Sequence, residues 1–500
     1  MQYHSTRDKS ISVSAAEAIK KGLSEEGGLF VPDSFPEVTL EEIQALAHKS
    51  YVERAKFILG KYLTDFTEEE LDKCVTSAYT KEKFETDAVA PLYKLNDSTY
   101  FLELWHGPTC AFKDMALQIL PHFMTVAMKK TNEDKEIVIL VATSGDTGKA
   151  ALEGFKDVNG TRIIVFYPDN GVSEIQKLQM ITQEGNNVSV AAVKGNFDDA
   201  QNGVKKIFTD NAYAELLARN QFKLSSANSI NWGRLVPQIV YYFSAYADLI
   251  DNNEIKCGDK INVVVPTGNF GNILAAYYAS RMGLPVAKFI CASNENNVLT
   301  DFIKTGVYNK VRDFHTTISP SMDILISSNL ERFLYELTDR DDAQIADWMK
   351  KLNTEGKYEV TPDVKAKLDK MFYGGCSNDA ETMASIKSCA DKYDYVTDTH
   401  TAVAKSVYDK YVKETGDTTK TVIASTASPF KFNQSVLIAL EDYNFVAGKD
   451  EFTLLEELSE KSGMEIPKSL YELKNKSAIF NLVCDKMQMQ QVVSDFLMVE

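Results

Sequence analysis

The chain has 500 residues, 44% of them hydrophobic, with 54 Lys and Arg against 71 Asp and Glu and a formal net charge of −17. That length exceeds the roughly 250–300 residues that one core sustains, so two or three domains are expected. The acidic field repels nucleic acid and anionic membrane surfaces, which leaves small molecules or another subunit as partners, with monomer and homodimer both open.

Residues 1–88 read as a mostly helical N-terminal domain, with helical periodicity over 15–23, 40–46, 51–63 and 68–78. Over 89–440 strands and helices alternate, with strands expected near 137–141, 162–167, 188–193, 261–265, 288–292 and 421–425. Such alternation argues for an α/β fold with largely parallel sheets. Residues 441–500 return to charged, helix-period sequence over 452–461 and 478–496, a C-terminal helical segment with a packing role. No stretch reaches the ~20 apolar residues of a membrane helix, and residues 1–30 lack the apolar core of a signal peptide, so the cytoplasm is the expected location. The seven cysteines form no CxxC pair and the six histidines no ligand spacing, so neither disulfides nor a metal site is indicated.

The chemistry concentrates in three segments. The turn His106-Gly107-Pro108-Thr109-Cys110-Ala111-Phe112-Lys113-Asp114 delivers one lysine between an aromatic and an apolar helix. A lysine desolvated there loses its proton and becomes a nucleophile toward an aldehyde. Cys110 reads as a small buried filler rather than a reactive thiol. Two loops, Ala142-Thr143-Ser144-Gly145-Asp146-Thr147-Gly148 and Pro266-Thr267-Gly268-Asn269-Phe270-Gly271-Asn272, each follow an apolar strand and open a helix. That geometry aims backbone N–H groups and a helix N-terminus at one spot, suited to phosphate or carboxylate. Neither loop is a nucleotide motif: Thr143 and Ala150 break the P-loop pattern, and Gly268 and Gly271 lack the dinucleotide spacing. A nucleophilic lysine beside anion-accepting turns points to pyridoxal phosphate.

Taken with residues 3–7, 27–32, 228–234, 398–402 and 425–432, these segments resemble the threonine synthases of the longer microbial and fungal type, lyases of the fold-type II pyridoxal-phosphate class. The resemblance implies a tryptophan synthase beta-like fold, with two parallel-type sheets, the cofactor between them, and a smaller α/β domain at roughly 120–240 inserted in the larger. It implies the conversion of O-phospho-L-homoserine and water to L-threonine and phosphate. Lys113 would carry pyridoxal phosphate and move protons, with Phe112 packed beside it. Gly268, Asn269, Phe270, Gly271 and Asn272 match the cofactor-phosphate loop, and Thr426 the position facing the pyridine nitrogen. Ser144, Gly145, Asp146 and Thr147 match the loop that receives the substrate carboxylate. Asp146 is awkward there, since a bare carboxylate repels another; facing the cofactor and holding the loop by accepting N–H bonds both stay open. Arg234, with Asn228, Ser229 and Asn231, is the candidate for the substrate phosphate, because a guanidinium binds phosphate oxygens bidentately. Lys431 and residues 398–401 fall near the site. Two other readings remain: a threonine-synthase-like phospho-lyase releasing a 2-oxo acid, and a non-catalytic paralogue that binds cofactor or metabolite.

Overall fold

The run Ile137–Val141 has no polar alternation, a pattern that suits a strand covered on both faces. In the computed structural model, which describes residues 1–169 and 171–499, it lies in the buried strand Glu136–Ala142. That strand is part of a five-stranded, all-parallel sheet, ordered Leu482–Asp485, Val188–Lys194, Thr161–Pro168, Glu136–Ala142, Phe222–Ser225. A second, six-stranded sheet is ordered Phe372–Cys376, Val286–Ser293, Ile261–Pro266, Thr421–Ser425, Thr99–Glu103, Leu92–Lys94, and only the last pairing is antiparallel. All six strands expected from apolar runs are present, each in one of these two sheets.

The helices Ala15–Lys21, Leu40–Leu46, Tyr51–Tyr62 and Glu68–Ala78 begin on Ser or Thr side chains that accept a hydrogen bond from the third helical N–H, so the caps in the sequence set their starts. Among them lies a small antiparallel sheet of Ser12–Val13, Tyr3–Ser5 and Phe30–Pro32. The helix Trp232–Asp251 is buried on every side, with only Asp248 and Asp251 excepted, and it packs against Tyr51–Tyr62 and Gly271–Met282. Such a helix joins the N-terminal region to the larger sheet. No helix among the described residues is long and apolar enough to cross a membrane.

One expectation is corrected. The segment 478–496 is not continuously helical: Leu482–Asp485 is a strand that extends the smaller sheet beside Val188–Lys194, and the helix occupies Met489–Leu497. Its partner strand is remote in sequence, and local periodicity carries no record of such a pairing.

Candidate active site

Adjacent parallel strands end at the same edge of a sheet, and ligands gather at that edge. Ile261–Pro266, Thr421–Ser425 and Thr99–Glu103 are consecutive neighbours, so the loop 267–272, Thr426 and the turn 104–113 leave from one rim. The Phe112 N–H donates to the Thr426 carbonyl at 2.8 Å, and the Ser428 N–H to the Cys110 carbonyl at 3.0 Å, stitching the lysine turn to its neighbour. Asp114 closes the turn by accepting from the Thr109 N–H at 2.8 Å and the Thr109 hydroxyl at 2.7 Å. Gly107 is required here, because a Cβ would stand 2.6 Å from the Asp114 side chain. Cys110 is buried and burial pushes its thiol up to about 12, consistent with a filler.

Lys113 lines the floor of a cavity of about 850 Å³, its Nζ 4.1 Å from the centre of the Phe112 ring. Its pKa is lowered to about 7, chiefly by loss of bulk water and then by the Arg234 guanidinium, with Lys431 adding to them and Asp146 opposing. At neutral pH a large fraction is therefore the free amine.

The loop after Ile261–Pro266 is shaped for backbone donors. Phe270 sits left-handed at φ 62°, immediately before the helix Gly271–Met282, its ring packed against the pair Phe333 and Phe372. A Cβ on Gly268 would lie 2.6 Å from the Ser321 carbonyl. Gly268, Asn269, Phe270, Gly271 and Asn272 all line the cavity. Asn272 Oδ1 accepts from the Tyr242 hydroxyl, which turns Nδ2 outward with no partner among the described residues.

From the other sheet, Glu136–Ala142 delivers Ser144, Asp146 and Thr147 to the opposite wall. Gly145 takes φ 132° and does not line the cavity; its N–H, like that of Gly148, is held at 2.9 Å by the Thr143 hydroxyl. Asp146 is not bare. Lys431 Nζ lies 2.6 Å from its Oδ1, Gln176 Nε2 donates to that oxygen at 2.9 Å, and the Ser321 hydroxyl donates to Oδ2 at 3.3 Å. Burial would raise its pKa, but the charge and hydrogen bond of Lys431, with Gln176 and His400, together outweigh it and hold the carboxyl well below the usual range.

Of the four residues expected at a substrate phosphate, Asn228, Ser229 and Arg234 line the cavity. Asn231 does not: it caps the helix Trp232–Asp251, accepting from the Gly233 N–H at 2.8 Å and donating to the carbonyls of Ile19 and Ser226. In sequence, an asparagine cap and an asparagine ligand look alike. Arg234 is fully buried, donates to the Ala227 carbonyl at 2.5 Å, and has no carboxylate partner among the described residues; its Nε is unpartnered, and burial lowers it to about 10.

Beneath Thr426 a polar network ties the rim together. The Thr426 N–H donates to Thr401 Oγ1 at 3.2 Å, and Thr401 donates to Asp398. Asp398 accepts from His400 Nδ1 at 3.1 Å, and His400 Nε2 accepts from the Ser321 N–H at 3.1 Å. His400 thus has both ring nitrogens engaged, Nδ1 by the Asp398 carboxylate and Nε2 by the Ser321 backbone. Gln176, Ser321 and Gln238 are the site residues that sequence reasoning missed. Only Gln238, four residues after Arg234 on the same helix face, carried a signal.

The half-buried amine of Lys113 and the buried guanidinium of Arg234 face one cavity together with unspent donors on Arg234 and Asn272. That is the wrong environment for an apolar ligand and the right one for an anion beside an amine-reactive carbon. The residues present therefore fit a phosphorylated aldehyde, and fold and cavity define the class, a pyridoxal-phosphate dependent enzyme. The family model of that description matches residues 85–365, flanked by matches to "Threonine synthase N terminus" at 2–79 and "Threonine synthase, C-terminal" at 401–481. The chain is 41% identical to human threonine synthase-like 1 over 436 residues, which is 85% of this chain but 58% of that protein's length. It is 36% identical to the threonine synthase of Methylobacillus glycogenes, covering 88% of this chain and 92% of that one. The crystal structure of pyridoxal-phosphate-bound threonine synthase from Brucella melitensis superposes with a TM-score of 0.86 at 35% identity, covering 99% of this chain and 98% of that one. The chain belongs to the threonine synthase family.

Proposed function

We propose that the protein converts O-phospho-L-homoserine and water to L-threonine and phosphate. The observation that carries this reading is the lysine of lowered pKa set between anion-accepting walls, with an unpaired, buried Arg234 beside it. Bound pyridoxal phosphate supplies an electron sink for charge developing on substrate carbon. The cofactor's phosphate belongs at Gly268, Asn269, Phe270, Gly271 and Asn272, where the loop N–H groups and the free Asn272 Nδ2 donate to it. Thr426, which lines the cavity, would offer the ring nitrogen a hydroxyl rather than a carboxylate and so would not favour its protonated form, and Phe112 packs beside Lys113.

Ser144 and Thr147, with the N–H groups of Asp146 and Thr147 at the start of the helix Asp146–Phe155, receive the substrate carboxylate. Arg234, Asn228 and Ser229 hold the substrate phosphate, and the guanidinium takes up charge as the bond from the γ carbon to oxygen breaks and phosphate leaves with the electron pair. Lys113 Nζ, its pKa lowered to about 7, takes one proton from the α carbon and one from the β carbon, then delivers one to the γ carbon, which becomes the methyl group, and one back to the α carbon, which suits a base working at neutral pH. Water adds its oxygen at the β carbon and gives up one proton, so phosphate is exchanged for hydroxyl with no net oxidation. The net charge of −17 favours a small-molecule enzyme without nucleic-acid or membrane partners, in keeping with a cytoplasmic location.

Cofactor-loaded protein mixed with O-phospho-L-homoserine should release phosphate and threonine in equal amounts, read by mass spectrometry with a parallel phosphate assay. Phosphate accompanied by 2-oxobutyrate would assign the phospho-lyase reaction instead, and no phosphate would refute both.

A further inference from the structure

We propose that Lys431 is a positioning residue that keeps the Ser144–Thr147 loop able to accept an anion, by cancelling the charge of Asp146 from the opposite sheet. The proposal rests on the reading of that loop as the seat of the substrate carboxylate.

An uncompensated carboxylate at the opening of an anion-accepting loop would repel its own ligand. Lys431 removes that conflict. It stands in the turn Pro429–Phe432 after the strand Thr421–Ser425 of the six-stranded sheet, whereas Asp146 opens the helix after a strand of the five-stranded sheet. The lysine is fully buried, and it donates to the Thr109 carbonyl at 2.9 Å as well as pairing with Asp146 at 2.6 Å. One ammonium therefore ties together the lysine turn, the anion loop and the rim that bears Thr426. Gln176 donates to the same oxygen as Lys431 and Ser321 to the other, so both oxygens of Asp146 are held by groups outside the loop. The other titratable groups acting on Asp146 are His400, which lowers its pKa further, and Lys113, whose ammonium it stabilises. With Asp146 neutralised in place, the positive end of the helix Asp146–Phe155 is left for an incoming anion. Removing one partner of a buried ion pair leaves the other unpaired in low dielectric, a different state from never having had the pair.

The test compares Lys431→Gln, Asp146→Asn and the double variant, all cofactor-loaded, with cofactor content checked by absorbance and folding by thermal melting. In Lys431→Gln, KM for O-phospho-L-homoserine should rise roughly 10- to 100-fold at pH 7.5, as expected for like charge facing the substrate, with kcat changed much less. That KM should recover as pH falls and the unpaired Asp146 takes up a proton. Adding Asp146→Asn should bring KM at pH 7.5 back to within several-fold of wild type. A double variant as poor as Lys431→Gln would overturn the proposal and leave Lys431 a packing strut. Failure of the wild type to release phosphate would instead sink the functional reading. Hydrogen exchange over residues 143–149, faster in Lys431→Gln and restored in the double variant, still decides the role of Lys431 in that case; unchanged exchange would overturn it.

Discussion

Replacing Arg234 with Gln should raise the pKa of Lys113, because the guanidinium is the strongest charge disfavouring its protonation after burial itself. For a separation of about 7 Å, taken as an assumption, a like charge at an effective dielectric near 20 is worth about 2.4 kcal/mol, and one pH unit corresponds to about 1.4 kcal/mol. With roughly half lost to salt and local relaxation, the midpoint of Lys113 should move from about 7 to roughly 8 in the variant. The assay is competitive acylation of the apoprotein with a limiting amine reagent from pH 5 to 11, read by mass spectrometry on the peptide carrying Lys113. The wild-type midpoint near 7 and the upward move in Arg234→Gln are both required. A wild-type midpoint near 10.5, or no movement on removing Arg234, would refute the claim that burial and a neighbouring cation prepare this lysine.

Gly145→Ala should cost about 2–4 kcal/mol of stability and impair substrate binding, since φ is 132° and a Cβ would collide with Gln176, which itself holds Asp146; denaturant unfolding and KM check it. Asn231→Ala should cost about 1–3 kcal/mol by removing a helix cap and leaving carbonyls unpaired, with KM nearly unchanged, as unfolding and steady-state kinetics would show. Burial would lower the pKa of His106, but Glu103 and Glu85 raise it to about 9, above its unfolded value near 6.5. Its contribution, on the order of 2 kcal/mol, is fully present below pH 6.5 and lost as pH rises through 9, so His106→Gln should flatten stability against pH over that range.

Much of the fold was legible because buried parallel strands are written as near-continuous apolar runs, as in Glu136–Ala142, where Ile137 to Ala142 has no polar residue, and in Ile261–Pro266, where only Asn262 is polar. The strand Leu482–Asp485 was not, since Leu482 and Val483 are 48% and 46% exposed at a sheet edge and carry no such run. At the site, Lys113 and the two loops stood out because strand, small-residue turn and helix follow one another locally. The partners of Asp146 did not, because Gln176, Ser321 and Lys431 arrive from three separate elements. Its role was therefore undecidable from the chain and is a matter of folded geometry, as is the use of Asn231 as a cap.

In the proposed reaction the γ carbon to oxygen bond breaks and water adds at the β carbon. Turnover of O-phospho-L-homoserine by the loaded protein in ¹⁸O-water, with both products read by mass spectrometry, distinguishes this from cleavage at phosphorus. The expected products are threonine carrying one ¹⁸O in its hydroxyl and phosphate carrying none. Labelled phosphate beside unlabelled homoserine would mean cleavage at phosphorus, and would contradict the proposed reaction.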